Sequence, residues 1–344
     1  MNLHKLLQER AALGRFIRVG MIGAGKFGTM YLAQSRNLAG IHIAAIADLN
    51  PERAHNATSI AGWDPVQSTA SSLTDAITTG KTFITDDAEA LIAEPNIDIV
   101  IDATGDPRAG IRHVHTSCRE QKDIVMVNVE ADALAGPQLA READEAGIIY
   151  SLAYGDQPAL ICELVDWART SGFEVIAAGK GTKYLPSFHQ STPETVWEKY
   201  GISASEAKSS GMNPRMFNSF IDGTKSAIEM AAVANAAQLK PPPNGLLFPP
   251  CSINDLANTL RPKSSGGQLF QSGQVEVAVA VDRKVVGLAK ACLGDGAAVA
   301  EVPDELDRIS ARGRGLGFET QQVTLDATGD GQHGEDGIAI AHRH

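Results

Sequence analysis

The chain has 344 residues and a formal net charge of −11, from 30 Lys and Arg against 41 Asp and Glu. With 43% hydrophobic and 21% charged residues it has enough apolar material for a core, which excludes a wholly disordered protein. The length suits roughly two domains. The acidic balance argues against a surface dedicated to nucleic acid or anionic lipid, and no apolar run approaches the ~18 residues of a membrane helix. No nucleic-acid or membrane partner is expected, although local basic clusters suit a phosphorylated metabolite.

The opening MNLHKLLQERAALGR carries charges throughout, unlike a secretory signal, and reads as an amphipathic helix with Leu3, Leu6, Leu7 and Leu13 on one side. Cys118, Cys162, Cys251 and Cys292 are far apart and lack metal-ligand spacing, so a reduced cytoplasmic protein is expected.

Residues 17–48 carry the strongest local signal. IRVGMIG is a short apolar run suited to a strand buried on both faces; it leads into GAGKFG, then a helical stretch, then a second strand IHIAAIAD. Gly23 suits the tight turn, Gly25 lets the backbone approach a pyrophosphate, and Gly28 allows close helix–strand packing, with Lys26 and Phe27 between them. Asp48 stands twenty positions after Gly28, where an acidic residue binds the adenosine ribose. Asp48 favours NAD and repels the 2′-phosphate of NADP, whereas Arg53 can pair with that phosphate if it folds inward, so both cofactors stay open at this point.

Further strands are expected at IDIVIDATG (97–105), at DIVMVNVEAD and at IIYSLAYG, with a helix over PQLAREADEAG. Ligands in such sheets bind beyond the carboxyl ends of the strands, which places Thr104, Gly105, Asn128 and Glu130 at the cofactor edge. The fold class is thus α/β, a Rossmann doubly wound parallel sheet over 1–155 followed by a second α+β substrate and dimerisation domain over 156–284. In the second domain Asp156 and Pro158 start a helix that stops at Gly172. FEVIAAGKGTKYLP is a strand running into a turn with Lys180 and Lys183. Ser226 and Glu229 have capping-box spacing, so a helix begins near Lys225 and cannot pass Pro241–Pro243. Residues 285–344 hold ten glycines and a single aromatic, Phe318, and form an atypical tail expected to be ordered only in part. His333, His342 and His344 read as part of a solvated tail and His189 as structural or exposed.

Hydride transfer needs a group that polarises the substrate oxygen, delivers a proton and holds any anionic group, and lysine can do all three. Lys180, Lys183 and Lys225 each sit in a glycine- or threonine-rich turn. Asn213 and Asn218 offer amides to substrate hydroxyls, and Gln157 stands where the first domain hands over to the second. No tight metal-binding cluster is present in the sequence.

GMIGAGKFG, IDIVIDATG, VMVNVEAD, YSLAYGDQPALICELVDWAR, AAGKGTKYLP and MNPRMFNSFIDGTKSAIEMA together resemble the homoserine-dehydrogenase-like oxidoreductases, from about residue 1 to about residue 282. More narrowly they resemble the subgroup of 1-deoxy-D-xylulose 5-phosphate reductoisomerase-like enzymes; the tail departs from that family's longer β-rich end. The resemblance implies an NAD(P)-dependent enzyme that reduces and isomerises 1-deoxy-D-xylulose 5-phosphate to 2-C-methyl-D-erythritol 4-phosphate, an isoprenoid precursor. It favours NADP, used as NADPH, over NAD, and adds a weakly held Mg or Mn cation, a small anionic or phosphorylated substrate, and a homodimer or higher oligomer. Asp222, with Gly223 and Thr224, resembles the polar turn lining the substrate pocket of homoserine dehydrogenases and would orient a catalytic lysine. Two other readings are carried: a simple dehydrogenase of homoserine or of a small hydroxy or sugar acid, and a non-catalytic NAD(P) sensor.

Overall fold

Residues Ile17–Ile22 form β1, whose side chains leave on both faces: Val19 and Met21 join one buried cluster, Ile22 another. A strand buried on both sides belongs in the middle of a parallel sheet. With β2 (Ile41–Ala47), β3 (Phe83–Thr85), β4 (Ile99–Asp102), β5 (Asp123–Met126) and β6 (Tyr150–Leu152) it makes a six-stranded sheet, parallel throughout, in the order β3-β2-β1-β4-β5-β6. This is the doubly wound order that reverses direction beside β1, where dinucleotides bind. The computed structural model describes residues 2–182, 184–209 and 212–280, with the backbone of strand segments 288–293, 298–303 and 326–327.

The helices of this first unit, residues 1–156, cover both faces. α1 (Leu3–Ala12) precedes the sheet, and its Leu3, Leu6 and Leu13 are exposed. α2 (Lys26–Ser35) and α3 (Pro51–Ile60) bring Leu32, Ala54 and Ala57 onto Val19 and Met21. After α4 (Leu73–Thr79), the helices α5 (Ala88–Ala93), α6 (Pro107–Arg119) and α7 (Val129–Ala146) cover the face with Ile22, Val100 and Ile124. Two local expectations change. β5 stops at Met126, and the VEAD expected at its end is instead the first turn of α7, because the Asn128 side chain caps that helix by accepting from Ala131 N. Glu130 and Asp132 then lie at the favourable end of the helix dipole. Pro137, expected to open the helix, stands inside it.

The second unit, residues 157–344, begins with α8 (Gln157–Thr170), ending just before Gly172 at φ +86°. β7 (Val175–Thr182) follows, then α9 (Val196–Tyr200), α10 (Ala204–Ser209), α11 (Pro214–Ile221) and α12 (Thr224–Ala237). β8 (Pro250–Cys251), α13 (Leu256–Thr259), β9 (Gln274–Ala280), β10 (Leu288–Leu293), β11 (Ala298–Pro303) and β12 (Asp326–Ala327) complete it. The sheet runs β12-β11-β10-β7-β9-β8, with β9 parallel and β10 antiparallel to β7. α8 and α12 pack Ile161, Val165, Met230 and Val233 on Ala178, Val275 and Val277; Leu256, Leu260 and Leu269 cover Ala177 and Ala278 on the other side. β7 and β9 approach so closely at Gly179 that a Cβ there would fall on the Glu276 carbonyl. Within residues 285–344, the backbones of β10 and β11 continue the sheet beside β7; the remaining expectations for that tail lie outside the described residues.

Candidate functional site

The glycine turn does what its spacing predicts. Gly23 has φ +98°, and a Cβ there would stand 2.7 Å from the Ala103 carbonyl oxygen; a Cβ on Gly28 would stand 2.5 Å from the Gly23 oxygen. Gly25, which starts α2, has no atom within 4 Å of its Cβ position. The two flanking glycines are therefore needed for packing, whereas Gly25 borders open space at the N-terminus of a helix, a setting that fits a pyrophosphate. Lys26 and Phe27 lie on the first turn beside it.

Asp48 follows β2 and is buried. Its Oδ2 accepts from Ala24 N at 2.9 Å, and its Oδ1 accepts from Asn50 N at 2.9 Å. Arg53, on α3, folds inward: its Nη2 lies 3.2 Å from Asp48 Oδ1, with the side chain still half exposed. At the end of β4, the Asp102 Oδ1 accepts from Thr104 N and Thr104 Oγ1 at 2.9 and 2.8 Å. Gly105 follows at φ +70° with open space beside it. Asn128 is buried and donates to Thr104 Oγ1 (3.0 Å) and to the Asp106 carbonyl (2.8 Å), so its amide braces the turn at the sheet edge. Glu130 is half-buried in the first turn of α7.

In the second unit, Lys180 lies inside β7 and not in the turn after it. Strands flank it on both sides, its side chain is 10% exposed, and its Nζ donates to Gln157 Oε1 at 2.8 Å and to Glu229 Oε2 at 2.5 Å. Lys225 Nζ stands 4.0 Å from Glu229 Oε1. Three elements thus converge, with Gln157 from the start of α8, Lys180 from β7, and Lys225 and Glu229 from α12. Bringing an ammonium and a carboxylate out of water costs several kcal/mol per ion before their attraction returns it, on the order of the ion penalties known for interiors. So enclosed a pair, on a strand flanked on both sides, marks a candidate reactive site. An ammonium has three N–H donors, and these two bonds leave one for a substrate oxygen.

The other expected residues take local roles. Asp222 accepts from Thr224 N (2.8 Å) and Asn218 Nδ2 (2.8 Å), shaping the turn before α12, whose cap is Gly223 at φ +93°. The buried Asn218 also donates to the Ser191 carbonyl, and Asn213 caps α11 by accepting from Arg215 N and Met216 N. Thr224 is the exposed first residue of α12, and Lys183 lies outside the described residues. α12 starts one residue before Lys225, so Ser226 and Glu229 sit inside it, and Glu229 serves Lys180. The i,i+4 spacing of Lys225 and Glu229 is the signal in the sequence that points to this carboxylate. Among the described residues, no three His, Cys, Asp or Glu side chains converge as a metal site, so the expected Mg or Mn cation has no such cluster here. Among them, too, no helix is long and apolar enough to cross a membrane.

Comparison with known proteins gives two matches along the chain. Residues 17–131 match the oxidoreductase family GFO/IDH/MocA, NAD-binding Rossmann fold, and residues 155–290 match the oxidoreductase DRL catalytic domain. No curated protein matches. Among solved structures the chain is similar to a myo-inositol dehydrogenase from Lactobacillus casei in complex with NAD(H) and myo-inositol, at 16% identity and TM-score 0.34, covering 53% of this chain and 50% of that one. It is also similar to an oxidoreductase from Agrobacterium radiobacter in complex with NAD+, L-tartaric acid and magnesium, at 18% identity and TM-score 0.34, covering 48% and 44%. The chain spans about half the length of these structures, and at such scores they carry no argument about substrate. The Rossmann match corrects the resemblance to homoserine-dehydrogenase-like and reductoisomerase-like proteins, and removes its support for isoprenoid-precursor synthesis. The glycine turn and strand ends recur across Rossmann oxidoreductases and do not separate one family from another. Residues 17–131 are thus similar to an NAD-binding Rossmann domain of the GFO/IDH/MocA oxidoreductases, and residues 155–290 to the catalytic domain of oxidoreductase DRL.

Proposed function

We propose that this oxidoreductase is a simple NAD(P)-dependent dehydrogenase of a small, hydroxyl-bearing, anionic substrate, with Lys180 as the group that holds the reacting oxygen. The observation that carries this reading is the Lys180 side chain, 10% exposed, whose Nζ is fixed by Gln157 and Glu229 with one N–H to spare. The dinucleotide, when bound, supplies or accepts the hydride. In the reducing direction Lys180 donates to a carbonyl oxygen that is gaining negative charge and passes it a proton. In the oxidising direction the amine takes the proton from the hydroxyl. Glu229 balances the ammonium, and Gln157 fixes its direction. Lys225, and by sequence Lys183, supply positive charge for a substrate carboxylate or phosphate, beside Thr224.

NADP is the favoured cofactor in this reading, because Arg53 covers the charge of Asp48 and keeps guanidinium surface exposed toward solvent. Cytoplasmic residence, supported by the free thiol of Cys118, and a homo-oligomer complete the proposal. Titration of the purified protein with NADPH and NADH, followed by nicotinamide fluorescence, tests the cofactor. A panel of polyols and hydroxy acids then tests the reaction. Silence with both cofactors at millimolar concentration overturns the reading.

A further inference from the structure

The second unit carries a cleft that the chemistry above does not use. It measures about 310 Å³, and its lining includes Asp255, Asn258, Arg261, Gly266, Gly267 and Gln268, all between β8 and β9. Leu256, Leu260 and Leu269 anchor this stretch by packing on Ala177 and Ala278. Lys180 instead reaches Glu229 of α12, a helix that covers the opposite side of the same sheet. The cleft is therefore separate from the Lys180 group.

Backbone hydrogen bonds set its walls. Gln268 N donates to the Thr259 carbonyl at 2.9 Å, Leu269 N to the Arg261 carbonyl at 3.0 Å, and Lys263 N to the Leu269 carbonyl at 2.8 Å. Two glycines keep side chains off Arg261. Gly266 has φ +83°, and its Cβ position lies 3.6 Å from Arg261 Nη2, so a longer side chain there would lean on the guanidinium. A Cβ on Gly267 would fall 2.1 Å from the Arg261 carbonyl oxygen, where there is no room for one.

The lining holds one cation and one anion. Among the described residues no ion pair engages Arg261 or Asp255. Asp255 Oδ2 accepts from Ser252 Oγ at 2.7 Å, and the other carboxylate oxygen has no partner among them. The amides of Asn258 and Gln268 add uncharged donors and acceptors. A lone carboxylate entering the cleft gains Arg261 but meets Asp255, and a lone amine gains Asp255 but meets Arg261. A molecule with both charges gains at each end. The volume stands at the small end of ligand pockets.

We propose that this cleft binds a free α-amino acid with an amide or hydroxyl side chain. Its carboxylate lies on Arg261, its ammonium on Asp255, and its side chain among the amides of Asn258 and Gln268. The site stands independently of the dehydrogenase reading.

Calorimetric titration of the full chain with L-glutamine, L-asparagine and L-serine tests it. At least one should bind with a Kd of about 1 mM or tighter. Arg261→Gln and Asp255→Asn should each weaken that binding about tenfold or more, as for loss of a charge-assisted contact. Both side chains are exposed, so the thermal melts should stay at the parent's. The deamino and decarboxy analogues of the binder keep one charge each and should bind at least about tenfold more weakly. Lys180→Met should bind the amino acid as the parent does. No binding of any of the three up to about 10 mM overturns the proposal. So does unchanged binding in either cleft variant, an analogue as tight as the amino acid, or lost binding in Lys180→Met. The readout is binding, so absence of turnover counts against the dehydrogenase reading alone.

Discussion

Asp102 and His113 form a buried pair across β4 and α6, with Oδ2 and Nδ1 2.7 Å apart and the aspartate side chain fully buried. The other oxygen of the same carboxylate holds Thr104. One side chain thus ties a helix to the strand and shapes the turn at the expected cofactor edge. His113→Leu leaves that carboxylate buried without its partner. Urea unfolding should show a loss of roughly 3 kcal/mol, the usual result of removing one member of a buried pair. A loss under about 0.5 kcal/mol, as at an ordinary surface position, would show the pair to be dispensable.

The glycines of the turn should separate folding from binding. Gly25→Ala meets open space at φ −75° and should change stability by less than about 0.5 kcal/mol while lowering cofactor affinity tenfold or more. Gly28→Ala presses on the Gly23 carbonyl and should destabilise by about 1–3 kcal/mol, as overpacking does. Thermal melts and nicotinamide titrations on the two variants distinguish the roles.

Arg53→Gln removes the cation that covers Asp48. NADPH affinity should fall at least tenfold, consistent with loss of about 1.4 kcal/mol of phosphate contact, whereas NADH affinity should stay within about twofold. Parallel losses for the two cofactors would assign Arg53 to the fold of α3.

Lys180→Met keeps the length of the side chain and removes its charge. Turnover should drop by about a hundredfold or more, the lower range for losing a positioned acid or base, with cofactor affinity unchanged. Lys225→Met should cost about as much turnover if it too serves the substrate. Being 23% exposed, it should change stability by under about 1 kcal/mol. Near-parent turnover in either variant removes that lysine from the site.

Asp132 gives a pH-dependent prediction. Burial raises its carboxyl from 3.8 to about 6, although Tyr150 Oη donates to Oδ1 at 2.9 Å. The folded state holds this proton more tightly than the unfolded chain, so the site's full contribution to stability is present below about pH 4 and is lost as pH rises through about 6. Asp132→Asn has no proton to lose there. Its stability relative to the parent should therefore be higher at pH 7.5 than at pH 4 by about 1–3 kcal/mol, since each pH unit separating the folded and unfolded carboxyl is worth about 1.4 kcal/mol. Urea unfolding of both proteins at the two pH values measures it, and a pH-independent difference would contradict the raised value.

The first sheet is legible in the sequence because its signals are local. An apolar run, a glycine turn and an acidic residue at fixed spacing all lie within residues 17–48. β3 is not, because the three residues Phe83–Thr85 are too short to show alternation. The start of α7 reads as strand because VMVNVEAD alternates until Asn128 turns its side chain back onto Ala131. In the second unit, turn composition alone suggests roles for Lys180, Lys183 and Lys225, and Asp222 enters only through a family resemblance. Pairing Lys180 with Glu229 needs residues 49 positions apart to meet across a sheet and a helix, and the capping-box spacing of Ser226 and Glu229 offers a competing explanation. Asp102 and His113 likewise meet only after the chain has folded back on itself.

The parallel register of Gly179 with Glu276 also sets an order of events during synthesis. Every strand of the first sheet is made by residue 152, so that unit can complete its sheet while the rest of the chain is still being translated. β7 must wait through nearly a hundred further residues for its parallel neighbour, a long loop to close. During that wait, at ~5–20 residues per second, the apolar run of β7 is a nascent edge without its partner. Chaperone dependence and aggregation during expression should therefore track changes in 175–182 far more than changes anywhere in the glycine turn.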